Sequence, residues 1–408
     1  MEIQEKFVKD AEFLARGTEV LPGGVTELAK KLQKASESGK PLRIKLGLDP
    51  TKPDLHLGHS VVMRKLKQFQ QLGHKVVLLV GGATAMIGDP SGKSDTRPSL
   101  TKEEVDYNAK TYFDQMSKVV DIERAEVVNN ADWLHPMTLT DLLKLSSQVT
   151  VAQMMVRDDF SKRYSEGKPI SLHEFFYPLM QAYDSVVIDA DIELGGSDQR
   201  FNVLLGRDIQ LAYGKKYPQM VILLPLLEGT DGVIKMSKSY PENCISINEE
   251  PKNMYGKLMS IPDNLIGRYF ELLTDVPTET IETYKMEIEE AMVNPRDYKM
   301  LLARTIVTEY HSEEDAKRAE EEFITIFQRK GLPEEIEEVK VEENAPLLDL
   351  LVDLNFVASK GEAKRLIQGG GVKFDGEKIT DLAQKVTFDG DEGIILQAGK
   401  RKFAKLVK

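Results

Sequence analysis

Apolar positions early in the chain fall into three successive registers. RIKLGL, 43–48, is an apolar run of strand length. SVVMRKLKQFQQLG then spaces Val62, Met63, Leu66, Phe69 and Leu72 by threes and fours, which predicts an amphipathic helix ended by Gly73. KVVLLVGG, 75–82, is a second strand-length run closed by glycines. Strand, helix and strand in this order make a βαβ unit and therefore a parallel sheet. SVVIDADIELGG, 185–196, and MVILLPLL, 220–227, predict two further strands, the second leading into IKMSKS. Several strand ends thus deliver loops of unusual composition, where an open α/β sheet places its ligands.

From about 250 to 330 the pattern turns helical, rich in Glu and Lys with few glycines. GLPEEIEEVKVEENAP, 331–346, is acidic with a proline near each end and reads as a linker. Beyond it, LLDLLVDLNF predicts a helix, and the capping box SKGE, 359–362, opens another that Gly369 to Gly371 end. VKFDGEKI predicts a hairpin turning at Asp375-Gly376, and GIILQAGKRKFAKL a second turning at Gly399. No internal repeat is found. The expected organisation is a sheet domain over 1–245, a helical domain over 246–330, a linker over 331–345 and a small α+β module over 346–408.

A length of 408 residues suits two or three domains, and 41% apolar with 29% charged residues is the composition of a soluble globular protein. The start, MEIQEKFVKD, is polar and unlike a secretory signal, and no run approaches a membrane span. A single cysteine, Cys244, excludes an intramolecular disulfide and a cysteine-cluster zinc site. The cytoplasm is the expected address. The net charge of −12 argues against a chain coated in nucleic acid. Residues 346–408 nevertheless carry eleven Lys and Arg against nine Asp and Glu, so any RNA contact is a local matter.

Two of the six histidines stand three apart in DPTKPDLHLGHS, 49–60, where a strand gives way to a helix. His56 and His59 flanking Gly58 allow three readings. They are incidental, or they share a helix face as metal ligands with a distant third partner. Alternatively they donate to phosphate oxygens at a helix start, where unpaired N–H groups gather and glycine admits a close ligand. IGDPSGKS, 87–94, is not a P-loop, since Gly88 and Gly92 have three residues between them where that motif needs four. Alone it reads as a polar turn holding Asp89, Lys93 and, just beyond, Arg97. KMSKS, 235–239, alone is a solvated basic loop; beside the histidine pair its two ammonium groups suit a transferring phosphate.

HLGH followed by KMSKS in a parallel-sheet context resembles the two signatures of class I aminoacyl-tRNA synthetases. More narrowly, GLDPTKPDLHLGH, GGATAMIGDPSGK, NNADW, LMQAYDSV and GGSDQRFN resemble tyrosyl-tRNA synthetases, and the tail resembles the S4-type RNA-binding module of bacterial members. The resemblance covers nearly the whole chain. It implies a Rossmann-like α/β catalytic domain, a helical anticodon-binding domain and an S4-like tail in a homodimer. It also implies activation of L-tyrosine by ATP, with Mg²⁺ carried on the nucleotide, and transfer to tRNA(Tyr).

By the same resemblance Thr51, His56 and His59 hold the ATP phosphates, and Lys235 and Lys238 close over pyrophosphate with Lys93 and Arg97. Gly58, Gly196 and Asp198 face the nucleotide. Asp89, Tyr177 and Gln181 surround the substrate ammonium, Gln199 its carboxylate, and Asp184 accepts from the phenol. Tyr177, Gln181 and Asp184, at i, i+4 and i+7, share one helix face, although Pro178 kinks that helix or marks its start. Lys45 stands where many family members carry a tyrosine that also contacts the phenol. Either that contact is missing or Lys45 pairs with Asp184. A tryptophanyl synthetase, a small nucleotidylyltransferase and a non-catalytic RNA-binding relative are the rival readings. The tail and the GGSDQ and GDPSGK loops favour the tyrosyl one, and the intact histidines and lysines speak for catalysis.

Overall fold

The computed structural model describes residues 2–49, 54–87, 101–237, 239–327, 336–388, 393–399 and 402–408. Two compact units divide the chain, 1–312 and 313–408.

The first unit is built on six strands: β1 (Glu19–Leu21), β2 (Arg43–Leu48), β3 (Lys75–Val80), β4 (Glu126–Asn129), β5 (Ile192–Gly196) and β6 (Met220–Leu224). Their order is β1-β6-β5-β2-β3-β4, all parallel except β1, which runs antiparallel on β6. From β2 the chain steps outward to β3 and β4, then returns to lay β5 and β6 on the other side. The β2–β5 boundary is therefore the topological switch point, and a crevice opens beyond the carboxyl ends of these two strands. β6 buries every residue and β3 all but Lys75, the continuous apolar pattern of a covered parallel sheet.

The helix Leu57–Gln71 joins β2 to β3 as the spacing predicts, and Gly73 leaves it with φ of 82°. The expectation of one strand over 185–196 is corrected. Its first residues end the helix Phe176–Val187, the chain turns at Asp189 with φ of 52°, and only Ile192–Gly196 is strand. A short apolar run cannot by itself distinguish a buried helix end from a strand. Pro178 lies in the first turn of that helix, where its missing N–H costs no helical bond, so it marks the start and makes no kink.

Helices Pro251–Met259, Ile266–Leu273, Thr278–Glu289 and Pro295–Tyr310 follow, as the Glu- and Lys-rich pattern predicts. They pack within the same unit as the sheet, so the boundary expected at 245/246 is not a break in packing. Arg64, on the helix Leu57–Gln71, is paired with both Asp275 and Glu309, and the Tyr269 hydroxyl donates to the Glu228 carbonyl at 2.6 Å.

The second unit carries β7 (Glu338–Lys340), β8 (Val372–Phe374), β9 (Glu377–Ile379), β10 (Ile394–Ala398) and β11 (Lys402–Val407), ordered β7-β11-β10-β8-β9. The linker expected over 331–345 is thus partly structure, since β7 pairs parallel to β11 with Val339 opposite Leu406. Val339 and Val341 pack on the core of the unit while their neighbours stay near water, a two-residue alternation submerged in an acidic run. Both hairpins form as predicted, with positive φ at Asp375, Gly376 and Gly399. Ser359 accepts from the Glu362 N–H at 3.3 Å, but Glu362 reaches back to the Ala358 N–H, so the capping box closes one residue early. Leu347, Leu351, Ile367, Val372, Leu396 and Leu406 fill the core.

Candidate active site

The crevice begins at the two histidines. His56 is the N-cap of the helix Leu57–Gln71, and its Nδ1 accepts from the Gly58 N–H at 3.1 Å. His59 Nδ1 accepts from the His56 N–H at 3.2 Å. With both Nδ1 atoms occupied as acceptors, each neutral ring carries its proton on Nε2 and is a donor there. The rings lie 3.9 Å apart at the positive end of the helix, an arrangement suited to phosphate. Gly58 is required here, because a Cβ would stand 2.9 Å from the His56 ring and 3.7 Å from the Met236 Cβ. The buried Met236 of KMSKS thereby seats that loop against the histidine turn. Beside it the Lys235 ammonium lies 3.4 Å from Asp198, on the loop after β5. Gly196 is likewise constrained, since a Cβ there would meet Asp198 Oδ1 at 2.5 Å.

Inward from His59 a cleft of about 290 Å³ follows the β2–β5 switch point, lined among others by Tyr177, Gln181, Asp184, Gly196 and Gln199. Tyr177 donates to Asp49 Oδ2 at 2.7 Å, and Thr84 donates to Asp49 Oδ1 at 3.1 Å. The Gln181 side-chain oxygen is buried in this wall with no hydrogen-bond donor among the described residues. A buried acceptor left so is costly unless a ligand supplies the proton. Asn202 donates to the Gln199 side-chain oxygen at 2.9 Å.

Asp184 forms the floor, 1% exposed. Trp133 Nε1 donates to one carboxylate oxygen at 2.8 Å and Asn130 Nδ2 to the other at 3.2 Å. Burial pushes this carboxyl up to about 7; the Lys45 ammonium and the Asn130 and Trp133 donors pull it down, and Glu193 pushes it up. Lys45 itself, fully buried, pairs with Glu193 at 2.8 Å and donates to Ser185 Oγ at 2.7 Å and to the Gln181 carbonyl at 2.9 Å. The Lys45–Asp184 pairing that the sequence left open is therefore corrected: the ion pair is to Glu193.

The residues expected at the site thus separate clearly. His59, Tyr177, Gln181, Asp184, Gly196 and Gln199 share one cleft, with His56, Gly58, Asp198 and Lys235 at its mouth. Thr51, Asp89, Lys93, Arg97 and Lys238 lie outside the described residues. Asp49, Thr84, Asn130, Trp133 and Glu193 were not singled out from sequence, although NNADW and the GLDP turn contain three of them. Among the described residues no three His, Cys, Asp or Glu side chains gather to hold a metal ion.

Comparison with known proteins follows the same lines. Residues 37–328 match the family model of class I tRNA synthetases (W and Y), and residues 328–406 that of the tyrosine--tRNA ligase SYY-like C-terminal domain. The tyrosine--tRNA ligase of Thermotoga maritima is 54% identical over 375 residues, 92% of each chain. That of Carboxydothermus hydrogenoformans is 52% identical over 99% of this chain and 98% of its own. The fold is shared with the C-terminally truncated mitochondrial tyrosyl-tRNA synthetase of Aspergillus nidulans (TM-score 0.63, 23% identity, 79% of this chain and 95% of that one). It is shared too with the L-tyrosine complex of the Archaeoglobus fulgidus enzyme (TM-score 0.60, 21% identity, 77% and 99%).

Proposed function

Because the chain belongs to the tyrosyl-tRNA synthetases of class I, we propose how its own residues divide the work of activating tyrosine with ATP and passing it to tRNA. The observation that carries the reading is a cleft with a histidine-capped helix start at its mouth and a buried, doubly donated carboxylate at its floor.

Tyrosine enters phenol first. Its hydroxyl donates to Asp184, and its ammonium donates to the orphaned Gln181 oxygen, with Tyr177 and Asp89 alongside. Gln199 lies by the carboxylate end. That carboxylate is already ionised at neutral pH, so no general base is needed. One of its oxygens bonds to the α-phosphorus as the bond to pyrophosphate breaks. Gly196 and Asp198 face the nucleoside. Thr51, His56 and His59 meet the phosphates, while Lys235 and Lys238, with Lys93 and Arg97, take up charge on the leaving pyrophosphate. Mg²⁺ enters with ATP as part of the substrate. The terminal ribose hydroxyl of tRNA(Tyr) then attacks the adenylate carbonyl, and AMP leaves. A crystal structure with a sulfamate analogue of tyrosyl-adenylate tests this placement. The phenol oxygen is expected within hydrogen-bond distance of Asp184, and a phenol directed elsewhere overturns it.

The tail reads tRNA. Of its basic residues, Lys364 and Arg365 are exposed on the helix Lys360–Gln368 and offer themselves to phosphates. Lys360 is paired with Asp349, and Lys402 donates to the Asn355 and Phe356 carbonyls, so these two contribute less; Lys400 and Arg401 lie outside the described residues. Deleting residues 328–408 is expected to keep tyrosine-dependent pyrophosphate exchange within about twofold while tRNA charging at limiting tRNA falls at least about tenfold. Unimpaired charging would remove the tail from tRNA recognition. The helices that follow β6 are assigned to the anticodon end. A homodimer is part of the reading: between β4 and β5 the chain exposes Leu139, Leu143, Val151, Val156 and Leu172, a liability in a monomer that a second copy would cover. No helix among the described residues is long and apolar enough to cross a membrane. We read the enzyme as cytoplasmic because that is where tRNA(Tyr) is charged.

A further inference from the structure

Lys45 lines the cleft, and its surroundings assign it a part there. Lys45 on β2 and Glu193 on β5 are directly opposite in the parallel register, at the switch point of the sheet. Both are sealed, at 0% and 1% side-chain exposure. An ammonium has three protons to give, and three acceptors take them: Glu193, Ser185 Oγ and the Gln181 carbonyl. None remains for a substrate phenol. Glu193 is equally committed, since Ser185 Oγ donates to it at 3.0 Å and the buried Gln219 amide donates to it as well. Gly206 of the helix Arg200–Ala212 closes the packing, for a Cβ there would meet Gln219 at 2.7 Å and both Glu193 and Ser185 at 3.1 Å.

Two of the acceptors of Lys45, Gln181 and Ser185, bracket Asp184 on the helix Phe176–Val187. We propose that Lys45, through its pair with Glu193, is the positioning residue of the amino-acid pocket: it fixes the turn that presents Asp184 and supplies the positive charge that keeps Asp184 an anion able to accept from the phenol. The inference rests on the reading of Asp184 as the phenol acceptor. Each of the described groups that acts on Asp184 has a definite sign. Lys45 from β2 favours the anion, Glu193 from β5 opposes it, and the neutral donors Asn130 and Trp133 from the other side favour it. The Lys45 effect outranks the Glu193 effect, so the pair as a whole favours the anion.

The signs yield a test that a merely structural part for Lys45 would fail. In the full-length enzyme, the KM for tyrosine in pyrophosphate exchange is measured from acid to alkaline pH. For the parent it rises as pH falls through the Asp184 midpoint. Lys45→Met with Glu193→Gln removes both charges and avoids stranding one of them in the core. Its midpoint is expected to move up by about one pH unit, raising KM about tenfold on the acid side and restoring it at alkaline pH. Glu193→Gln alone is expected to move the midpoint down. In both, kcat at saturating tyrosine changes less than KM. A midpoint that stays put in both variants, or moves the same way in both, overturns the proposal. Asp184→Asn is measured beside them: if its tyrosine KM and its preference over phenylalanine match the parent, the Asp184 reading itself has failed, independently of Lys45.

Discussion

The two ends of the cleft are built on opposite principles. At the mouth, the histidine pair and Lys235 come from short local motifs; Lys235 is about half exposed and His59 partly so, while His56 is buried in its capping position. At the floor, Asp184, Lys45 and Glu193 come from three separate elements and are withdrawn from solvent, and each is met by several hydrogen-bond partners. An exposed cation is cheap to keep and can move as charge develops on a departing pyrophosphate. A buried carboxylate must be held by fixed donors, and so it is rigid and selective. On the proposed reading, the difference separates transition-state stabilisation at the mouth from ground-state recognition at the floor.

That separation can be broken by mutation, beginning at the mouth. Lys235→Ala and Lys238→Ala are each expected to slow adenylate formation about a hundredfold in single-turnover kinetics, with the tyrosine dissociation constant within about twofold of the parent. Equal losses in both quantities would make the loop a structural part. At the floor, Asp184→Asn removes a charged acceptor and is expected to weaken tyrosine use by about thirtyfold, or ~2 kcal/mol, measured as kcat/KM in exchange. Phenylalanine has no hydroxyl to lose, so its kcat/KM should change far less and discrimination should narrow. Trp133→Phe deletes one of the two donors to Asp184, with about a fivefold loss for tyrosine at neutral pH, or ~1 kcal/mol. Without that donor the Asp184 carboxyl moves further up from about 7. If, as proposed, the anion is the competent form, the loss should deepen as pH falls and recover as pH rises; a uniform loss at all pH values would assign Trp133 to packing alone.

The same contrast explains what the sequence made legible. HLGH and KMSKS are contiguous, each glycine, histidine and lysine stands at fixed spacing, and the strands around them show their apolar runs openly. The parallel sheet, the two tail hairpins and the mouth of the site could all be read in this way. The floor could be read only in part. Tyr177, Gln181 and Asp184 share a helix face and so announce themselves, but the partners of Asp184 arrive from about fifty residues upstream, and Glu193 meets Lys45 only because β5 inserts beside β2. For Lys45 the sequence left open a missing contact or a pair with Asp184; strand order, which no local pattern encodes, decided for Glu193. The strand β7 was hidden for a simpler reason, since two alternating valines are outnumbered by glutamates on the solvent side.

Calorimetric titration of tyrosine without ATP, on the parent, Lys235→Ala and Asp184→Asn, tests the division of labour most directly, because no chemistry and no phosphate contributes. Lys235→Ala is expected to bind tyrosine within about twofold of the parent, while Asp184→Asn loses about thirtyfold. Comparable losses in the two variants, or undiminished binding in Asp184→Asn, would contradict that division.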